Sequence, residues 1–373
     1  MFYKSSLEDL AAEFGITWDL ARLFTGSQFH VERAKRWIHE CQETHDCDSS
    51  SYFPEGVERW SKDRLPRRLV YIGTESENPR IVEVYEEKPI AFAAFSHCWG
   101  PQGLPVEAKT LIATLKEREM SIPIHTLPRS FREAIVFSRR LGLDYIWIDA
   151  LCIVQDSQKD WSRESVKMGA VYENAAVTIA DESSEDAHGG LFDICEPDSV
   201  TIPTTLSDGR CITLVFYATD SGSLYSKRTC LAKRAWAMQE RVSSTRVLHF
   251  FDAGILWECR KHFNIWDKPS ANAPQGCIDQ TGPQYGKELS SSHERFVNYQ
   301  KEQVLMEMWG SHTLERLMEV RTELVPAWTD EVPRWILFRP WFYTFIPAYS
   351  YRKLTFSSDK CIAISSLARK FQQ

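Results

Sequence analysis

Between residues 90 and 259, short apolar runs alternate with stretches whose apolar positions recur at helical spacing. Residues 90–96 form the first such run and predict a buried strand ending at His97. Residues 128–141 predict a helix. Phe131, Ala134, Ile135, Ser138 and Leu141 share one face, Pro128 marks the start and Gly142 the stop. Residues 145–148 predict a second buried strand, ending at Asp149. A helix over 160–172 follows, then a strand over 177–180 ending at Asp181. A helix over about 231–243 leads into strands over 247–251 and 255–258. This alternation predicts an α/β fold with a largely parallel central sheet flanked by helices.

The flanks read differently. Val31, Ala34, Ile38 and Cys41 fall at helical spacing, so residues 1–64 form a helical leader. Residues 65–72 and 81–85 read as a pair of strands joined across turn-forming residues. Residues 189–230 predict a β-rich insertion, with turns at Ser207-Asp208-Gly209 and Ser221-Gly222-Ser223. Residues 267–292 are rich in Pro, Gly and Ser and read as a loop, and 293–325 as helical. The division is a leader over 1–64, the main domain over 65–260, and a C-terminal region over 261–373 packed on it. The helical pattern at Phe371, Gln372 and Gln373 reads as though the natural protein ran on.

Composition narrows the function classes. With 13 Trp among 373 residues, a sizeable core is expected. The net charge of −7, without a basic stripe, argues against nucleic-acid binding. No run of about 18 apolar residues predicts a membrane span. The nearest, 335–351, is interrupted by Arg339, Pro340 and Pro347. Residues 1–14 lack the apolar core of a secretory signal. Ten scattered Cys then suit free thiols in a reducing compartment, which places the chain in the cytoplasm.

Four motif groups carry a family resemblance. The first is Ala94-Phe95-Ser96-His97-Cys98-Trp99-Gly100. The second is Leu127-Pro128-Arg129-Ser130-Phe131 with the run from Leu141 through Asp144-Tyr145-Ile146-Trp147-Ile148-Asp149-Ala150-Leu151-Cys152 to Asp156. The third comprises Asp160-Trp161, Glu164, Met168, Val171-Tyr172-Glu173-Asn174-Ala175, Thr178-Ile179-Ala180 and Gly190-Leu191-Phe192. The fourth is Arg234-Ala235-Trp236-Ala237-Met238-Gln239-Glu240-Arg241, with Ser244, Arg246 and Trp257-Glu258-Cys259. Residues 65–260 thereby resemble the fungal HET (heterokaryon incompatibility) domain. His97 stands where family members often carry Tyr. The resemblance implies a role in non-self recognition and programmed cell death. It also implies a distant relation to TIR domains, hence a TIR-like or flavodoxin-like core and NAD as a substrate. The implied partner is a second copy of the chain or another incompatibility or NLR-type protein. No metal or redox cofactor is required for that chemistry.

Glu240 is the first candidate acid. At 100° per residue, Ala232, Gln239, Glu240 and Ser243 cluster around Trp236, apart from an aliphatic stripe of Leu231, Ala235, Met238 and Val242. In NAD-cleaving TIR domains a helix carries a Trp followed by the essential Glu, and Trp236 and Glu240 are similar to that pair. The competing reading pairs Glu240 with Arg234, Arg241 or Arg246. Glu164, on a core face beside Trp161, is the alternative acid, or else another buried ion pair. Asp149, Ser96 and His97 end strands at the edge where α/β sheets bind ligands. With Trp99, Gly100, Cys152, Trp236 and Gln239 they make up the expected substrate-binding set. Asp149 is equally suited to capping a turn. Cys98 and Cys152 raise a thiol-enzyme reading, although adjacent His97 and Cys98 point apart on an extended strand. Cys41, His45 and Cys47 form a weak metal candidate, because zinc needs about four ligands and no fourth is placed by the pattern.

Overall fold

The computed structural model describes residues 24–45, 47–48, 60–85, 89–193, 199–205, 211–217, 229–251, 254–260, 263–264, 346–354 and 357–372. Residues 1–23 of the leader, both insertion turns, the 267–292 loop and the 293–325 helix lie outside the described residues.

An eight-stranded mixed sheet organises the chain. Its parallel centre consists of β3 (Phe92–Ser96), β4 (Tyr145–Trp147), β5 (Val177–Asp181) and β8 (Arg246–Phe251), in the order β4-β3-β5-β8. Antiparallel strands extend both sides. On the β4 side lie β1 (Arg68–Tyr71) and β2 (Arg80–Glu83), and beyond β8 lie β9 (Gly254–Cys259) and β10 (Phe263–Asn264). The expected insertion is a separate two-stranded antiparallel sheet, β6 (Ser199–Thr205) with β7 (Cys211–Tyr217).

All residues of β3, β5 and β8 are buried; β3 and β5 read as near-continuous apolar runs because helices cover both faces, whereas β8 carries Arg246 and His249 within its buried length. One face carries α1 (Gln28–Thr44) and α3 (Arg129–Leu141). Trp37 of α1 stacks on Trp257, and Phe137 of α3 meets Phe250 edge-on. The short α2 (Leu115–Met120) precedes α3, which ends at Gly142 with φ 89°, a left-handed conformation that glycine adopts without steric cost. The other face carries α6 (Met168–Asn174) and α7 (Ala235–Ser243). There Tyr172 packs edge-on against Trp147, and Thr178 meets Ser244 through their hydroxyls at 2.7 Å.

Two expected helices are shorter than their patterns. The 160–172 segment splits into α5 (Gln158–Ser165) and α6, because Lys167 N tightens back onto Glu164 O. The 231–243 segment begins as a 3-10 turn, and α7 starts at Ala235. Arg234 is extended there and bridges to Lys353 instead. The described C-terminal residues pack on α7. Tyr349 of α8 (Ile346–Ser350) and Ala363, Ile364 and Leu367 of α9 (Ile362–Gln372) bury Ala235 and Met238.

The chain runs from β3 to β4 on one side, then crosses back to β5 on the other. The switch in strand order therefore falls at the carboxyl ends of β3 and β5, the position where α/β sheets bind ligands. Ser96 and Asp181 end those two strands, and Asp149 opens α4 (Asp149–Cys152) after β4.

Candidate functional site

Glu240 projects from α7 to the end of β3. Its Oε2 accepts a short hydrogen bond from Ser96 Oγ. The residue is 3% exposed, and burial raises its pKa above the ordinary carboxylate range. The Arg234 charge and the Ser96 hydrogen bond oppose that rise by favouring the ionised form. Tyr172 lies beside the same carboxylate and donates to Phe95 O at 3.2 Å. The competing ion pairs are settled by geometry. Arg241 donates to Glu258 at 2.7 Å and Arg246 pairs with Asp48, so Arg234 is the cation near Glu240. Arg234 also donates to His97 O, which holds its guanidinium over the carboxyl edge of the sheet.

Successive side chains of a strand point to opposite faces, so His97 faces α3 while Ser96 faces α7. The imidazole stacks on Phe95 at 4.8 Å and meets Phe131 edge-on. Burial lowers its pKa to about 4, so it is neutral at physiological pH. Its Nε2 lies 3.9 Å from Asp149 Oδ1 and has no hydrogen-bond partner among the described residues. Asp149 Oδ2 accepts from Trp99 Nε1 at 3.1 Å, and Oδ1 from Ala150 N at 2.6 Å. Asp149 is thus a member of the edge cluster and the first residue of α4, whose N-cap position is taken by Ile148. Gly100 has φ 81°, and a Cβ there would fall 2.6 Å from Asp186 Cβ, so the backbone packs closely against the 181–190 loop. Ser96, His97, Trp99, Gly100, Asp149 and Glu240 all belong to this one edge.

The remaining predicted residues serve other contacts. Trp236 Nε1 donates to Asp359 at 3.4 Å, and Gln239 Oε1 accepts from Ser366 N at 3.4 Å. Both side chains hold the C-terminal segment on α7, which the helical count could not reveal because their partners lie over a hundred residues away. Cys152 is buried with its carbonyl accepting from Arg68, and burial pushes its thiol to about 12. Burial also pushes Cys98 to about 12, which removes the thiolate a nucleophile needs. Glu164 accepts from Arg67 N at 3.0 Å and from Arg163 at 3.2 Å. It stands beside Asp160, which forms a two-point pair with buried Arg68, both bonds 2.9 Å. Its surroundings are therefore those of a structural ion-pair cluster tying α5 to β1. Cys41, His45 and Cys47 lie at the opposite edge of the sheet, where β8 begins.

A buried polar chain beside Ser96 escaped the sequence reading. His249 Nδ1 meets Glu182 at 2.7 Å and its Nε2 meets Glu258 at 2.8 Å. Thr229 donates to the far oxygen of Glu182 at 2.6 Å, and Arg241 to Glu258. Burial opposes a charge on His249, but the two carboxylates outweigh it and raise its pKa. His249 alternates with apolar neighbours on β8, which was the only available signal. Across the sheet, burial raises Asp181 to about 7, although Ser130 Oγ donates to it at 2.8 Å. The space lined by Ser96, Glu182, Arg241 and His249 is too tight to admit even a water-sized molecule, whereas a ligand pocket usually offers about 300 Å³ or more. A nucleotide would therefore enter only if the packing around these residues opened.

No helix among the described residues is long and apolar enough to cross a membrane. No curated protein and no solved structure matches the chain. Residues 92–240, from the start of β3 to Glu240, match the family model described as heterokaryon incompatibility protein (HET). Ser96, Asp149, Arg234 and Glu240 all lie inside that match, and residues 92–240 of this chain are therefore a domain of the HET family.

Proposed function

We propose that the HET domain is a cytoplasmic cell-death effector that hydrolyses NAD or a related nucleotide, with Glu240 as its essential acid. Family membership supports the heterokaryon-incompatibility and cell-death role. The observation that carries the chemical reading is the buried Ser96–Glu240 contact at the carboxyl end of β3, with Arg234 beside it. The order β4-β3-β5-β8 places the second parallel strand outside the first and the third on its other side. That part of the order agrees with the doubly wound order of flavodoxin-like sheets, whose ligands lie at the corresponding strand ends, and so supports the reading.

In this reading the ionised Glu240 sits near the nicotinamide ribose. It stabilises the positive charge that develops on the ribose as the N-glycosidic bond breaks. The bonding pair goes to the pyridinium nitrogen, which leaves neutral. Water attacks the anomeric carbon and loses a proton. Arg234 supplies a planar cation suited to the pyrophosphate. His97 Nε2, buried without a described partner, and Asp149 offer polar contacts to the sugar.

A second reading follows from the closure of the site. Glu240 is fully enclosed and hydrogen-bonded, as a purely structural carboxylate would be, and the domain would then kill by assembling with itself or with another incompatibility protein. Controlled expression in a fungal host separates the two. Death with the wild-type domain and survival with an equally abundant Glu240→Gln variant supports chemistry. Death with both supports assembly.

A further inference from the structure

The residues that seemed one ligand short in sequence gain a fourth in space. Cys41 lies in the last turn of α1, His45 caps that helix, and Cys47 follows two residues later. Cys259, the last residue of β9, joins them from more than two hundred positions away. The Sγ atoms of the three cysteines and a ring nitrogen of His45 all lie within 4.8 Å of one another. His45 Nδ1 is 3.3 Å from Cys259 Sγ. Around a tetrahedral ion with sulfur at about 2.3 Å and nitrogen at about 2.1 Å, ligand atoms stand roughly 3.4–3.8 Å apart. The cluster needs only small adjustments to reach that spacing.

The donor set is selective. Three soft sulfurs and an imidazole in a compact buried arrangement suit zinc, whereas carboxylate-rich sites suit magnesium or calcium. The three cysteines are buried and His45 is partly so. The surroundings also fit a charged centre. Three thiolates and one Zn²⁺ leave a net charge of −1, and Arg246 Nε lies 3.2 Å from Cys41 Sγ, ready to donate to it. Arg246 is itself oriented by Asp48, one residue after Cys47. Such outer partners hold metal ligands in place and neutralise their charge.

We propose that Cys41, His45, Cys47 and Cys259 bind one zinc ion in a closed structural site that fastens α1 to the edge of the central sheet. Four protein ligands leave no open position for a substrate, which distinguishes a structural from a catalytic zinc. The location agrees. Cys259 pairs with Arg246 at the amino-terminal end of β8, the opposite edge of the sheet from Ser96 and Glu240. All four ligands also fall outside residues 92–240, three before and one after, so the ion would join the two flanks to each other beside a domain that contributes none of its ligands. The site stands or falls independently of nucleotide hydrolysis.

The test is elemental analysis of the full chain, expressed with trace zinc and purified without chelator. About one zinc per chain is expected. Cys259→Ser and Cys41→Ser should each lose most of it, while Cys98→Ser should keep it. Because the ligand variants can misfold, the wild-type chain provides a second readout. Stripping it with chelator and adding Co²⁺ should give the visible d–d and thiolate charge-transfer bands of a tetrahedral thiolate site. Adding Zn²⁺ instead should raise the melting temperature. The proposal is overturned by a folded wild-type chain without zinc that yields no such bands. It is equally overturned by a disulfide among Cys41, Cys47 and Cys259 in the freshly purified protein, by iron with acid-labile sulfide in place of zinc, or by full zinc occupancy in Cys259→Ser.

Discussion

Ser96 Oγ donates a hydrogen bond to Glu240 Oε2, joining the carboxyl end of β3 to the middle of α7 across 144 residues of sequence. The bond ties the first strand of the HET domain to its final matched residue. It also acts on the acid directly. Burial favours a protonated Glu240, while the Ser96 hydroxyl and the Arg234 charge favour the carboxylate. Depth, Arg234 and Ser96 therefore act together on the protonation of Glu240, with the nearby Asp149 charge raising its pKa and Tyr172 lowering it.

Ser96→Ala should move that balance. Without the hydroxyl the pKa of Glu240 rises further, because a bond that favours the ionised form is gone. If the carboxylate is the active form, the acid limb of kcat/KM for NAD shifts to higher pH. The variant should also lose roughly 1.5–3 kcal/mol of stability, as expected for a hydrogen bond to a charged group. A pH–rate profile and urea unfolding measure the two effects. An unchanged acid limb would detach Ser96 from the chemistry.

Glu164→Gln distinguishes the two candidate acids. The carboxylate of Glu164 is engaged by Arg67 N and Arg163. The amide keeps the shape and loses the charge, so stability should fall by one to a few kcal/mol, on the order of the cost of weakening a buried ion pair. NAD turnover per folded molecule should remain within about twofold of wild type, well short of the roughly 10²-fold loss that marks a removed catalytic contact.

The core alternation was legible because β3, β4 and β5 are short apolar runs bounded by polar punctuation, and α3 carries a clear start and stop. Ser96, His97, Trp99 and Asp149 were legible as strand-end residues for the same reason. The divided helices were harder to read. Arg234 leaves helical geometry to bridge Lys353, and a local pattern contains no sign of that distant partner. Trp236 and Gln239 showed a polar face, but not that Asp359 and Ser366 use it. Cys259 sits in an apolar strand and looks like any buried small residue until β9 brings it beside Cys41.

His249 supports the fold from the centre of the polar chain. With its pKa raised above the ordinary value of 6.5, its contribution is full below that value and is lost as pH rises through the folded pKa. For Glu258, burial alone would raise the pKa, but Arg241 and His249 hold it down at about 2, below the ordinary 4.5. Its contribution is therefore present above 4.5 and lost as pH falls towards 2. Wild-type stability should carry both limbs. His249→Gln should cost on the order of 3 kcal/mol near neutrality, since buried Glu182 loses its charged partner and half-buried Glu258 keeps only Arg241, and should flatten the decline above neutral pH. Chemical denaturation across the pH range gives the comparison.

Cys98→Ser and Cys152→Ser should retain NAD turnover. Burial holds both thiols protonated at about 12, so neither supplies a thiolate at physiological pH. Turnover measured with and without a thiol-alkylating reagent provides the check. Selective inactivation through either cysteine would revive the thiol-enzyme reading.

The most direct measurement is nicotinamide release from NAD by the purified chain and by its Glu240→Gln variant, at low and high protein concentration and under enforced self-association. The account predicts release by the wild-type chain and a loss of at least roughly 10²-fold in the variant, with melting temperatures close enough to show both are folded. Absence of release by the wild-type chain under every one of these conditions, or equal release by the folded variant, would contradict it.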